Sequence, residues 1–284
     1  MRLRLFAVAY VVGLVLAVAS PLRAQQRPLV TEDPETVGGG VVLVEAGIDY
    51  LREQNYPVSG LTGHLTSLPK VGVSVGLSSI AELQFDGISY NRLRVIGADA
   101  APLSEAITFG GDSTSSVDDA VIGMKVRMLG EGGRRPAIGL RFATKLPNAS
   151  NESGLGLDTM DFFASLLVGK TIQSVRIVTN LGLGILSDPT RGDRQNDVLT
   201  YGLSIARAVA TDVEIVGEVA GRANTRTGRA PPGTESSGFI RVGARATRGT
   251  VRFDGGLITG LTSRDANIGV MAGVTWVFRA FEVP

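Results

Sequence analysis

NIGVMAGVTWVF, residues 267–278, decides the fold. Ile268, Val270, Ala272, Val274, Trp276 and Phe278 alternate with Asn267, Gly269, Met271, Gly273 and Thr275, so apolar side chains recur at every second position. Successive side chains of a β-strand point to opposite faces, whereas a helix would repeat its apolar residues three and four apart. The stretch therefore reads as a strand with one oily side and one small or polar side.

Upstream the same split recurs with charges on the second side. In 120–128, Ile122, Met124, Val126 and Met128 oppose Gly123, Lys125 and Arg127. In 137–146, Ile138, Leu140, Phe142 and Leu146 oppose Gly139, Arg141, Ala143 and Lys145, and in 239–246, Ile240, Val242 and Ala244 oppose Arg241, Gly243 and Arg245. Carried from Val41 to Phe278, the pattern predicts twelve strands, near 41–50, 67–77, 80–90, 118–129, 137–146, 160–170, 175–187, 197–208, 212–222, 237–246, 250–260 and 267–278. Each is close to the roughly 9–11 residues with which a tilted strand crosses a bilayer.

The connectors alternate in length. Segments 51–66, 91–117, 147–159, 188–196 and 223–236 are long and polar, and only 261–266 is short among that set; the intervening connectors, around 77–79, 130–136, 171–174, 208–211 and 247–249, are mostly tight. Membrane barrels pair short periplasmic turns with longer extracellular loops in this way. A soluble β-sandwich shares the period of two but needs no such alternation, and here it would leave glycine-rich polar faces in water. The expected fold is all-β: a transmembrane antiparallel up-and-down β-barrel of about twelve strands, spanning residues 41–284.

Composition agrees. The chain has 284 residues with 37 Gly, 19% charged and 6% aromatic residues, and a mildly positive mean hydropathy, as expected when strands are apolar on one face only. Residues 1–24 read as a signal peptide: Met1–Arg4 is positive, Leu5–Ala19 is apolar but short for a membrane span, and Leu22-Arg23-Ala24 offers a cleavage point before Gln25. Residues 25–40 are expected to form an N-terminal periplasmic segment. Removing Arg2, Arg4 and Arg23 takes the net charge from +1 to −2, and no basic run interleaved with aromatics remains, which excludes nucleic acid as a partner. The absence of cysteine excludes disulfides, thiolate metal sites and cysteine nucleophiles.

If the apolar face meets lipid, the other face lines the interior, because only a closed sheet pairs every backbone group in hydrocarbon. Lumen-lining acids are then Glu45, Asp49, Glu82, Asp86, Glu214, Glu218 and Asp254, and bases are Lys125, Arg127, Arg141, Lys145, Arg241, Arg245 and Arg252. They segregate by strand, acids on the first, third and ninth and bases on the fourth, fifth and tenth. Facing walls of opposite sign can set up a transverse field or polar site in a pore, or close a narrow barrel by ion pairing; twelve strands lie between filled small barrels and open porins. Trp276 and Phe278 are candidates for an interfacial aromatic girdle.

Other chemistry is thin. His64, the only histidine, falls in the expected first external loop with no serine and acid beside it on a strand, so no catalytic residue is assigned. Gly38-Gly39-Gly40, Gly154-Leu155-Gly156 and Gly182-Leu183-Gly184 lack the Lys-Ser/Thr of a phosphate loop, and glycine in strands relieves crowding and permits curvature. Asp118-Asp119 and Glu214/Glu218 lack the dense oxygen spacing of a calcium loop, so no metal and no cofactor is expected.

Several short motifs together carry a resemblance. Arg27-Pro28-Leu29-Val30-Thr31-Glu32-Asp33 followed by Thr36-Val37-Gly38, then Leu146-Pro147, Asn196-Asp197-Val198 running into Tyr201-Gly202, Gly217-Glu218, Asp254-Gly255-Gly256-Leu257 and Gly260-Leu261-Thr262 resemble the outer-membrane β-barrels of the MetA-pathway of phenol degradation family. The likeness spans nearly the whole chain after residue 24. It implies an outer-membrane location, outer-membrane lipid and the barrel-assembly machinery as partners, and passage of small, often aromatic or hydrophobic solutes. Glu282-Val283-Pro284 after Phe281 departs from the usual aromatic terminus. The expected function is a passive channel, not an enzyme, with a non-conducting structural or surface-interaction barrel as the alternative.

Overall fold

A computed structural model describes residues 27–283, so the signal-peptide reading of 1–24 lies outside the described residues. The chain forms β1 (Val41–Tyr56), β2 (Leu61–Gly76), β3 (Ala81–Ala98), β4 (Ser113–Val117), β5 (Val121–Leu129), β6 (Ala137–Lys145), β7 (Asp161–Ile172), β8 (Val175–Ser187), β9 (Gln195–Ala210), β10 (Val213–Asn224), β11 (Ser237–Arg248), β12 (Val251–Gly260) and β13 (Ile268–Arg279). Neighbours in sequence pair antiparallel, and β1 meets β13 from Val41↔Arg279 to Arg52↔Ile268, which closes the sheet. The segment read first from the sequence is thus one side of the closing seam.

Thirteen segments fill twelve positions, because β4 and β5 share one. Both pair with β3, β4 against Tyr90–Arg94 and β5 against Ala81–Asp86. The break at 118–120 faces Gly87, whose φ of +74° bends β3 there and whose Cβ, were there one, would lie 2.2 Å from the Asp119 carbonyl. Only glycine adopts that conformation at no steric cost. The fold is therefore a closed, twelve-stranded, antiparallel β-barrel.

Its outer face is apolar around the circumference: Ile48, Met124, Phe142, Leu166, Leu183, Leu203, Ile215, Val242, Leu257 and Val270 all point outward and are exposed. In water such a surface would be a large unfavourable patch; in a bilayer it is the ordinary lipid face. Val270→Arg should impair insertion into lipid vesicles by about 2–4 kcal/mol, the range for arginine on the lipid face near midplane. Equal partition of variant and wild type into vesicles would refute the assignment of faces.

Two expected loops are strand instead. Segment 51–66 was expected as the first external loop, but β1 runs to Tyr56 and β2 begins at Leu61, leaving a turn at 57–60, and His64 therefore sits on β2. Likewise β3 continues to Ala98, and part of the expected loop 91–117 returns as β4. In these projecting ends polarity is inverted. Leu61, Leu65 and Leu93 face inward and are buried together, with Leu51, Tyr56, Phe109 and Leu155 packed on them, while Arg92 and Arg94 face outward. A strand end with a polar outer face has left the hydrocarbon, so hydropathy read it as loop.

Candidate functional site in the barrel interior

The inward-facing charges pair mainly with adjacent strands. Lys70 Nζ lies 2.8 Å from Asp49, Arg245 Nε 2.6 Å and Arg252 Nη2 3.9 Å from Glu214, and Arg241 Nη1 3.4 Å from Glu218. Lys145 Nζ lies 2.9 Å from Asp119 and 3.1 Å from Asp161, and Arg141 Nη2 3.2 Å from Asp86. Trp276 and Phe278 lie apart from this group, on the outer face, their ring centroids 4.3 Å apart.

What joins the walls is the chain itself. Residues 27–37, expected in the periplasm, run through the barrel interior and bond to inward-facing groups on strand after strand. Arg27 lies against the acidic side: its backbone N–H donates to Glu45, its Nη2 donates to the Ala272 carbonyl at 2.9 Å, and its guanidinium sits 3.9 Å from Asp49 and 3.5 Å from Asp254. The acids that follow lie against the basic side. Glu32 is 3.2 Å from Lys125 and 3.0 Å from Arg141, Asp33 is 2.7 Å from Arg176, and Glu35 is 2.6 Å from Arg127. The segregation of charge by strand is thus the complement of a segment that begins with a base and continues with acids.

Backbone groups are held as firmly. Glu218 accepts the Val30 N–H at 2.9 Å and, from Thr31, both the N–H and the hydroxyl at 2.6 Å; Asn180 accepts the Glu32 N–H at 2.7 Å, and Glu82 the Val37 N–H at 2.7 Å. A segment without regular secondary structure needs partners for its buried N–H groups, and the barrel wall supplies them. Lys125, whose side chain has no exposed surface, is a fully buried anchor, 2.9 Å from Glu82 as well as near Glu32.

Glycines clear the path. Gly47 and Gly273 are cross-strand partners, and a Cβ on either would come 2.3 Å from the Arg27 guanidinium. Gly202 and Gly243 similarly approach Thr31 and Pro28. These four glycines make room for the N-terminal segment, whereas Gly182 and Gly184 lie against side chains and backbone of the neighbouring strands.

The segment divides the interior. On one side is a cavity of about 370 Å³ lined by Asp49, Lys70, Asp86, Arg141, Phe163 and Arg241; on the other, reaching the short turns, is one of about 380 Å³ lined by Val178, Ala206, Val213, Glu214, Arg245 and Arg252. Leu29, buried against Ala206 and Val216, borders both. Sequence reasoning missed Arg176 although it shares the inward phase of β8 with Val178 and Asn180, and it missed the role of Arg27, Glu32, Asp33 and Glu35 because a segment without periodicity carries no face to read.

At the short-turn end Glu131 ties the β5–β6 turn to β7 and β8. It accepts the Thr171 N–H at 2.8 Å and the Thr171 hydroxyl at 3.1 Å, and lies 2.6 Å from Arg176 and 3.1 Å from Lys170. Desolvation alone would raise its carboxyl, but those donors outweigh it and bring the group down to about 2. With the folded value below the unfolded one near 4.5, its stabilisation is complete above pH 4.5 and is lost as pH falls toward 2. Glu131→Gln should therefore cost on the order of 1 kcal/mol at pH 7 and little at pH 2. A melting difference between wild type and variant that does not shrink on acidification would contradict this.

No protein-family model matches the chain, and no curated protein matches it. Solved structures do. A COG4313 outer membrane channel from Pseudomonas putida F1 superposes with a TM-score of 0.62 at 13% identity, covering 87% of this chain and 98% of that one. The fold is shared. The NanC porin aligns with a TM-score of 0.49 at 9% identity, over 85% of this chain and 100% of that one.

Proposed function

We propose that the protein is an outer-membrane channel for small solutes, held nearly closed in this conformation by its own N-terminal segment. The observation that carries the reading is the pair of cavities, about 370 and 380 Å³, parted by a single layer of chain around Leu29. A barrel filled by wall side chains alone would have no such pair; here a strip of backbone outside the strands occupies the path. The outer-membrane location rests on the apolar outer face and the shared fold. The mixed lining, with Val178, Ala206 and Val213 beside charged groups, suits small aromatic or hydrophobic compounds with a polar substituent, the solute class that the family resemblance implies.

The test is solute flux into liposomes carrying the purified barrel, comparing small aromatic alcohols with sugars of similar size. Faster entry of the aromatics than in protein-free liposomes supports the reading. The rival reading, a non-conducting structural barrel, is favoured by the ion-paired segment, and it would be established by the absence of flux both in the intact protein and after loss of that segment.

A further inference from the structure

We infer that the outward face of β2, β3 and β4, just beyond the apolar band, is a binding site for the phosphate groups of an anionic outer-leaflet lipid. The inference rests on the proposed membrane location and adds a specific ligand to it. Outward along β3, Ile88 and Tyr90 are exposed apolar and aromatic residues, and the next two outward positions are Arg92 and Arg94. Beside Tyr90 across the pairing lies Val117, and on β2 the exposed Leu68 completes the apolar floor. The change from apolar to cationic occurs within one strand repeat, which is where a bilayer changes from acyl chain to headgroup.

The cations sit in an ordered array of donors. Arg92 is flanked across the strands by Thr66 and Ser115, and Arg94 by His64 and Ser113. Two successive rungs thus each place a guanidinium between hydroxyl or imidazole groups, about 7 Å apart along β3. Neither arginine makes an ion pair with any carboxylate among the described residues, in contrast to the inward-facing arginines 127, 141, 176, 241 and 245. Beside them a groove of about 550 Å³ is lined by Tyr90, Arg92, Phe109, Ser113, Ser115 and Ser150, with Glu152 as its carboxylate. Guanidinium forks with neighbouring hydroxyls are the donor set for phosphate oxygens, and the aromatic floor below them suits the first part of an acyl chain. A free phosphate would use the rungs and leave the floor bare; a lipid uses both.

The experiment measures binding of diphosphorylated lipid A to the intact barrel in detergent by native mass spectrometry, with competition by inorganic phosphate. Arg92→Ala/Arg94→Ala should weaken lipid A binding at least tenfold, while Arg207→Ala, which removes an outward arginine at the opposite end, should not. A monophosphorylated lipid A should bind more weakly than the diphosphorylated form. Unchanged binding in the double variant would overturn the inference, and displacement by millimolar inorganic phosphate would overturn the assignment to lipid. Heat-modifiable migration on gels reports folding separately, so failure of membrane insertion is distinguishable from loss of the site; if the double variant does not fold, Arg92→Gln and Arg94→Gln singly serve the same test.

Discussion

Removal of residues 27–37 is expected to raise single-channel conductance several-fold while leaving the β-sheet content and thermal behaviour of the barrel largely intact. None of these residues belongs to a strand, so the hydrogen-bonded ladder from β1 to β13 does not depend on them. Several of the wall groups they leave behind keep partners, Arg241 with Glu218, Lys125 with Glu82 and Arg141 with Asp86, while Asp254 and Arg127 lose their ion pairs with Arg27 and Glu35. Water entering the emptied path would solvate the remaining polar atoms, so the vacated lumen costs little compared with burying unpaired groups in apolar surroundings. Planar-bilayer recording of intact and truncated protein decides the matter. Equal conductance would mean that the external loops close the barrel instead.

Lys125→Met is expected to destabilise the folded barrel by about 3–5 kcal/mol, the usual cost of removing one partner from a buried ion pair. Lys125 is fully enclosed and lies within 3.2 Å of both Glu32 and Glu82, so its loss takes the neighbouring cation from Glu82 and leaves Glu32 to Arg141, 3.0 Å away. The effect arises less from the lost attraction than from the carboxylate charge left buried at Glu82. Adding Glu32→Gln and Glu82→Gln to the Lys125→Met background should recover most of the loss, as measured by urea-induced unfolding in lipid vesicles. No recovery would show that packing of the lysine stem, and not charge balance, holds this part of the interior.

The parts of the molecule that sequence reveals are those governed by a repeated physical constraint. The lipid face must be apolar at every second residue, so the strands from Val121 to Arg279 stand near their expected bounds. Where that constraint ends, legibility ends with it: Leu61, Leu65 and Leu93 pack inward beyond the bilayer and His64 and Arg94 point out, reversing the rule by which strands were recognised. The interior was legible as composition but not as arrangement. The phase of β5 and β10 puts Lys125 and Glu218 on the inner face, yet besides Glu82 and Arg241 on the wall they bond to Glu32 and Thr31 in a segment with no periodicity, which neither the open-pore nor the wall-to-wall reading of the opposed charges includes. The clue present in the sequence was the order of charges, one base at Arg27 and then acids at Glu32, Asp33 and Glu35, matching walls of the opposite sign.

Arg27 has partners on β1, on β12 and on β13, and its guanidinium rests over Gly47 and Gly273 where the first and last strands meet. That berth does not exist while the ends of the sheet are apart. Seating of Arg27 must therefore accompany or follow the zipping of β13 onto β1, which makes this residue a clasp across the seam. A half-built barrel can hold the rest of the segment through β3, β8 and β10 but lacks the berth for its first described residue.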